Sequence, residues 1–214
     1  PAGAALAQLN ASHSYGALEI LVVSGDAGAP AGFAAKVLPA GRRMRADGSL
    51  DPAIATARGD VLCFAAAGMR GAGTGWLEEL VTQALRPGVG AAGPMVLDEA
   101  GVIVEGGWIG AGARGFVPLY AGHPRGHLGM QARARLVQNL SVAGARCVAI
   151  TRGRFEAAGG FATDAPPGWE LVDLCLRLDE QGLRNVWTPF AEVAVGAGDT
   201  AALAAPDDES GRAW

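Results

Sequence analysis

A chain of 214 residues, half of them hydrophobic, is long enough to bury the core of one domain, and its formal net charge of −4 leaves no basic field of the kind that draws a protein to nucleic acid. No apolar run approaches the ~20 residues needed to cross a bilayer, and no signal peptide with a basic start and apolar centre is present, so the piece reads as soluble. Cys63, Cys147 and Cys175 are odd in number, far apart and set in apolar runs, which predicts reduced core thiols and a cytoplasmic location.

Residues 2–12 carry Leu6 and Leu9 at helical spacing, and residues 18–23 form a short apolar run between glycines that predicts a buried strand. Residues 36–38 make a weaker strand, 50–58 a helix capped by Asp51 and ended by Gly59, and 61–64 another strand. Thr74 is placed to cap the next helix, whose Trp76, Leu77, Leu80, Val81 and Leu85 form one apolar stripe before the stop at Pro87-Gly88. Helices alternating with short strands predict fold class α/β, with a mostly parallel central sheet that contains the strands at 18–23 and 61–64 and has helices on both faces.

After Gly90 strands are expected over 91–97, 102–106, 136–142 and 147–151, with a long loop over 110–129 of a length that is usually functional or mobile. A short helix over 154–158 is broken by Gly159-Gly160, a longer one over 170–181 closes at Gly182, and strands follow at 185–188 and 192–195. Residues 200–214 offer little to bury and read as a flexible tail. His123 and His127 would share a metal if they lay on a helix, but Pro124 and Gly126 oppose a helix and no acid or cysteine lies close by in sequence.

The strings ARGDVLCF, GWLEELV, RPGVGAAGP, FEAAGGF, ELVDLCLRL and TPFAEV, in this order, closely resemble family 2 glycosyltransferases of the GT-A fold. The resemblance spans almost the whole chain. It implies a nucleotide-sugar half over residues 1–97 and a smaller, mixed acceptor half over 98–199. The implied reaction moves a sugar from a nucleotide-diphosphate sugar to the hydroxyl of a glycan or lipid-linked acceptor, with room for a protein partner. The family's first strand, which precedes the helix at 2–12, has no counterpart in this sequence.

Position by position, the resemblance points to lost chemistry. The family's Asp-x-Asp, which carries Mg²⁺ or Mn²⁺ on the diphosphate, falls at Ala66 and Gly68, its distal histidine at Val195 or Gly196, and its base at Leu171. A methyl group and a hydrogen supply no oxygen ligand, so no metal cofactor is expected. Glu170 and Asp173 share a helix face beside Trp169 and are the candidate catalytic acids, since an apolar wall can raise a carboxylate pKa; the helix dipole alone also favours acids there. Substrate-binding candidates are Trp169, Asp26, Gly159, Gly160, Arg125 and Arg133. Asp26 is a nucleotide-side acid or a turn aspartate bonded to its own backbone, and Gly159-Gly160 is a close-approach turn or a helix stop. Arg125 and Arg133, with Arg135, replace the ion on a diphosphate or are solvated loop charges. Two readings follow: a glycosyltransferase that is impaired or metal-independent, and a non-catalytic descendant used for binding or assembly.

Overall fold

The computed structural model describes residues 14–15, 18–24, 36–39, 52–66, 68–112, 115–162, 164–166 and 168–196. The expected helix over 2–12, Asp26, Asp51 and the tail over 200–214 lie outside the described residues. Strands β1 (Leu21–Ser24) and β2 (Lys36–Pro39) pair in parallel as a two-stranded sheet. The main sheet is built on β3 (Val61–Ala65), β5 (Val89–Leu97), β10 (Cys147–Thr151) and β11 (Arg184–Ala194), side by side in the order β3-β10-β5-β11. β4 (Arg70–Gly71) and β9 (Gln138–Leu140) add to β11, and β6 (Ile103–Glu105) adds to β5. β7 (Trp108–Gly110) and β8 (Phe116–Pro118) form a separate antiparallel pair inside the stretch expected as a loop. The helices are α1 (Pro52–Thr56), α2 (Trp76–Ala84), α3 (Arg152–Ala157) and α4 (Glu170–Glu180).

The α/β class stands, but the strand directions differ from the expectation. Within the described main sheet β5 and β11 run parallel, while β10 is antiparallel to both β3 and β5. The reason is the connection: β10 arrives from the strand-rich excursion over residues 98–146 and not from a crossover helix, so nothing forces it to run with its neighbours. The strands at 18–23 and 61–64 also belong to different sheets. The two strands expected at 185–188 and 192–195 are one strand, β11, whose register slips between Thr188 and Glu192 around Pro189. Proline has no N–H for the ladder, so it sits at a bulge.

Both faces of the sheet are covered, which is why β5 is buried along its whole length. On one face α2 seats Leu77, Leu80 and Ala84 against Val96 and Val193; on the other, α3 and α4 bring Phe155, Leu174 and Leu178 against Val148 and Ile150. Fully burying a leucine contributes about 1.5–3 kcal/mol, so these two layers are the main source of stability. Three local expectations are corrected. Gly75, with φ of 80°, opens α2 in place of Thr74 and makes no side-chain cap. Leu85 lies past the last turn and is 57% exposed. Cys147 and Cys175 are buried, but Cys63 is exposed, because β3 is the outermost strand of the main sheet.

Candidate functional site

The loop after β3 crosses the ends of β10, β5 and β11. The Ala66 N–H donates to the carbonyl of Arg146 at 2.9 Å, the chain turns at Gly68 with φ of 80°, and Met69 is buried. β4 then pairs Arg70 with Ala194 at the end of β11, which brings Val195 beside the loop. Met69, Trp76, Cys147 and Val195 belong to one apolar cluster. Of the positions that the resemblance assigns to the ion, Val195 packs in that cluster, and Ala66 and Gly68 lie on the loop that leads into Met69 of the same cluster. This donor set does not fit Mg²⁺ or Mn²⁺, both of which need hard oxygen ligands. Among the described residues no group of three or more His, Cys, Asp or Glu side chains is placed to hold an ion.

Behind this loop lies a buried charge pair that the sequence reading missed. Glu105 is fully buried and accepts from the Trp108 indole at 3.1 Å, from the Ala145 N–H at 3.1 Å, and from the Arg146 guanidinium at 2.9 Å. A buried carboxylate is tolerated when its oxygens are satisfied and its charge is matched, and here both conditions hold. Trp108 in turn stacks edge-on to Trp169 with centroids 6.2 Å apart. A continuous chain of contacts thus runs from the Ala66 loop through Arg146, Glu105 and Trp108 to the start of α4.

At that start the candidate acids are placed differently from one another. Glu170 is half-buried at the first position of α4. Leu171, which the sequence resemblance sets against the base, packs into the core with Phe155 and Val172. Asp173 is 4% exposed and grips Arg177 at 2.8 Å and 2.9 Å. The same guanidinium donates to the carbonyl of Gly160 at 2.7 Å and to that of Ala158. Gly159 and Gly160 hold φ of 78° and 71°, a conformation that favours glycine, so the turn is pinned by Arg177 and shaped by its glycines. Phe161 follows it and packs against Phe64 of β3, with ring centroids 4.8 Å apart. Glu170, Asp173, Trp169, Gly159 and Gly160 thus share one neighbourhood, and Arg177 is a member that the sequence reading missed despite its i+4 spacing from Asp173.

The arginine candidates lie elsewhere. Arg125 is paired with Glu192 of β11 at 2.5 Å, and Arg133 bonds Gln138 of β9 at 3.2 Å. His123 and His127 do meet, as parallel rings with centroids 3.9 Å apart in a turn and not on a helix.

No family model matches the chain. Among curated proteins it is 34% identical over 148 residues to Uncharacterized protein y4gI of Sinorhizobium fredii (strain NBRC 101917 / NGR234), covering 66% of this chain and 16% of that protein. It is 38% identical over 139 residues to O-antigen biosynthesis protein RfbC of Myxococcus xanthus, covering 62% of this chain and 10% of that one. The chain therefore spans a small part of the curated relatives it matches. Among solved structures it is similar to GalNAc-T7 with UDP, GalNAc and Mn²⁺, with a TM-score of 0.57 at 16% identity over 83% of this chain and 37% of that one. It is also similar to the mannosyltransferase PcManGT from Pyrobaculum calidifontis in complex with GDP-Man and Mn²⁺, with a TM-score of 0.57 at 16% identity over 91% of this chain and 53% of that one. The order β3-β10-β5-β11, the covered faces and these neighbours together identify the fold as that of the GT-A glycosyltransferases.

Proposed function

We propose that this chain is a family 2-type glycosyltransferase domain that takes up a nucleotide-diphosphate sugar, with residues 1–97 as donor half and 98–199 as acceptor half, and whose catalysis is impaired or independent of a metal ion. The fold and the ligands named for its structural neighbours, UDP and GDP-Man, support the donor class. The observation that carries the reading of the site is that Met69 and Val195 pack in one apolar cluster while exposed Ala66 and the Gly68 turn beside them offer a divalent ion no side-chain oxygen or nitrogen. Leu171 lies in the core and Asp173 is nearly fully buried, and the acid role is assigned to Glu170, which is half-buried at the first position of α4. Loss of a positioned base alone costs about 10²–10⁴-fold in rate.

The second reading, a non-catalytic module for binding or assembly, is favoured by the same replacement of polar positions with carbon. Calorimetry with a panel of nucleoside-diphosphate sugars, with and without Mn²⁺, separates the two. Binding that is indifferent to Mn²⁺, with slow transfer that Glu170→Gln abolishes, is expected. Robust transfer that requires Mn²⁺ overturns the reading of the site. Absence of binding at millimolar nucleotide sugar leaves the binding or assembly reading.

A further inference from the structure

β11 begins at Arg184, beside Val89 at the start of β5, and ends at Ala194, which pairs with Arg70 just after the Ala66 loop. At ~3.3 Å per residue the two ends lie roughly 30 Å apart along the strand. At the Arg184 end there is a recess of about 230 Å³ lined by Arg86, Arg184, Asn139, Val89, Val137 and Val186, with no carboxylate among them.

Neutral acceptors hold both guanidinium groups in place. Arg184 donates through Nη2 to the carbonyl of Pro87 at 2.9 Å and through Nε to that of Gly88 at 3.4 Å. Arg86 donates through Nη1 to the side-chain oxygen of Gln83 at 2.9 Å. Gln83 is itself buried and donates to Glu79 at 2.9 Å, which also accepts from Thr188 at 2.8 Å, so Arg86 is anchored through α2 to β11. Each guanidinium carries five N–H donors, and these contacts use few of them. Nε and Nη2 of Arg86, Nη1 of Arg184 and the side-chain amide of Asn139 have no acceptor among the described residues.

Charge is unmatched there as well. Neither Arg86 nor Arg184 forms an ion pair among the described residues, and neither does Arg154, which donates to the carbonyls of Ala84 and Arg86. Arg154 satisfies the last carbonyls of α2, which accounts for it structurally. That account does not extend to the unspent donors of Arg86 and Arg184. In a chain whose net charge is −4, this end of the sheet is a local positive field around a small space.

We propose that the recess is a binding site for a phosphate monoester, with Arg86, Arg184 and Asn139 on the phosphoryl oxygens and Val89, Val137 and Val186 against the organic part. A monoester carries close to two negative charges at neutral pH, which two guanidinium groups match, and its oxygens accept in the directions that a guanidinium fork donates. A carboxylate would leave one of the two charges uncompensated. The site is remote from the Ala66 loop, so its occupancy is independent of whether a nucleotide sugar binds the chain.

The test is calorimetry of the full chain with phenyl phosphate, at low ionic strength and without nucleotide, alongside cosedimentation with phosphatidylcholine vesicles that contain phosphatidic acid. The first presents the monoester from a soluble molecule and the second from a lipid, and the arm that responds identifies the source. Saturable binding that Arg86→Gln or Arg184→Gln weakens at least about tenfold is expected, since hydrogen bonds between charged groups are worth that much or more. Asn139→Ala, which removes no contact within the protein, is expected to weaken it severalfold, and melting temperatures verify that the variants fold. Arg58→Gln removes the same charge outside the recess and is expected to change binding by less than about twofold. Absence of binding in both arms overturns the proposal. So does binding that Arg58→Gln weakens as much as Arg184→Gln, which would be unspecific attraction, or equal affinity for phenyl phosphate and benzoate, which would make the recess a general anion site.

Discussion

Arg177 holds Asp173 one helical turn back along α4 and, with the same guanidinium, donates to the carbonyls of Ala158 and Gly160. One side chain therefore ties the candidate acid to the glycine turn. Asp173→Asn is expected to lower stability by about 1–3 kcal/mol and Arg177→Ala by somewhat more, because each leaves buried polar partners unmatched. Thermal melts check this: any fall in activity should come with a fall in melting temperature. Loss of transfer in Asp173→Asn at unchanged stability would make Asp173 a participant in the chemistry.

Leu80 is fully buried between α2 and the sheet, whereas Leu85, on the same predicted stripe, is 57% exposed. Leu80→Ala should cost about 2–5 kcal/mol. Leu85→Ala should stay within about 0.5 kcal/mol. Urea unfolding of both variants reads the contrast directly.

Gly93 in the middle of β5 leaves no room for a side chain: a Cβ there would lie 2.0 Å from the carbonyl oxygen of Ala143. Backbone cannot yield as a side chain can, so Gly93→Ala should destabilise by about 1–3 kcal/mol or block folding. Gly153 in α3 has open space around the same atom. Gly153→Ala should stabilise by about 0.5–1 kcal/mol through helix propensity.

Thiol chemistry should separate the three cysteines. Cys63 is exposed and is expected to take a maleimide in the native state, while Cys147 and Cys175 wait for unfolding. A hydrogen bond with Cys63 and then burial push the Cys147 thiol well above its ordinary value. Burial pushes that of Cys175 up to about 12 from 9.0. The unfolded chain releases these protons near 9.0 and the folded chain holds them, so the stability is whole below that pH and is lost as pH rises from 9.0 towards about 12. Each unit in that window costs up to about 1.4 kcal/mol for a single group. Denaturant unfolding below and above pH 9.0 should show this decline, and it should be shallower in Cys175→Ala.

What could be read from the sequence was what local patterns determine. The stripe of α2, the spacing of α4 and the apolar runs of β3, β5 and β10 each lie within about one turn or one strand of chain, so periodicity exposes them. β4 is two residues long and has no period to find. The direction of β10 depends on the excursion before it, and the Glu105–Arg146 pair joins residues 41 apart, so neither is visible locally. At the site, Ala66 and Gly68 could be read as lacking ligand atoms, but not that Met69 and Val195 pack in one apolar cluster. The Asp173–Arg177 pair was within reach of the sequence, since i,i+4 spacing places such residues on one face.

The strand order has a consequence for how the chain is made. β10 lies between β3 and β5 yet is synthesised after both. When the last residue of β5 is added, the first of β10 is still about fifty residues from being translated, so β3 and β5 cannot pair into their final sheet and must wait with open edges. α2 can already lay Leu77 and Leu80 on β5, but the face across from it stays uncovered until α3 and α4 follow β10. The nascent protein therefore passes through a stage in which half of its central layer is exposed, and closure comes late, through contacts distant in sequence that form slowly.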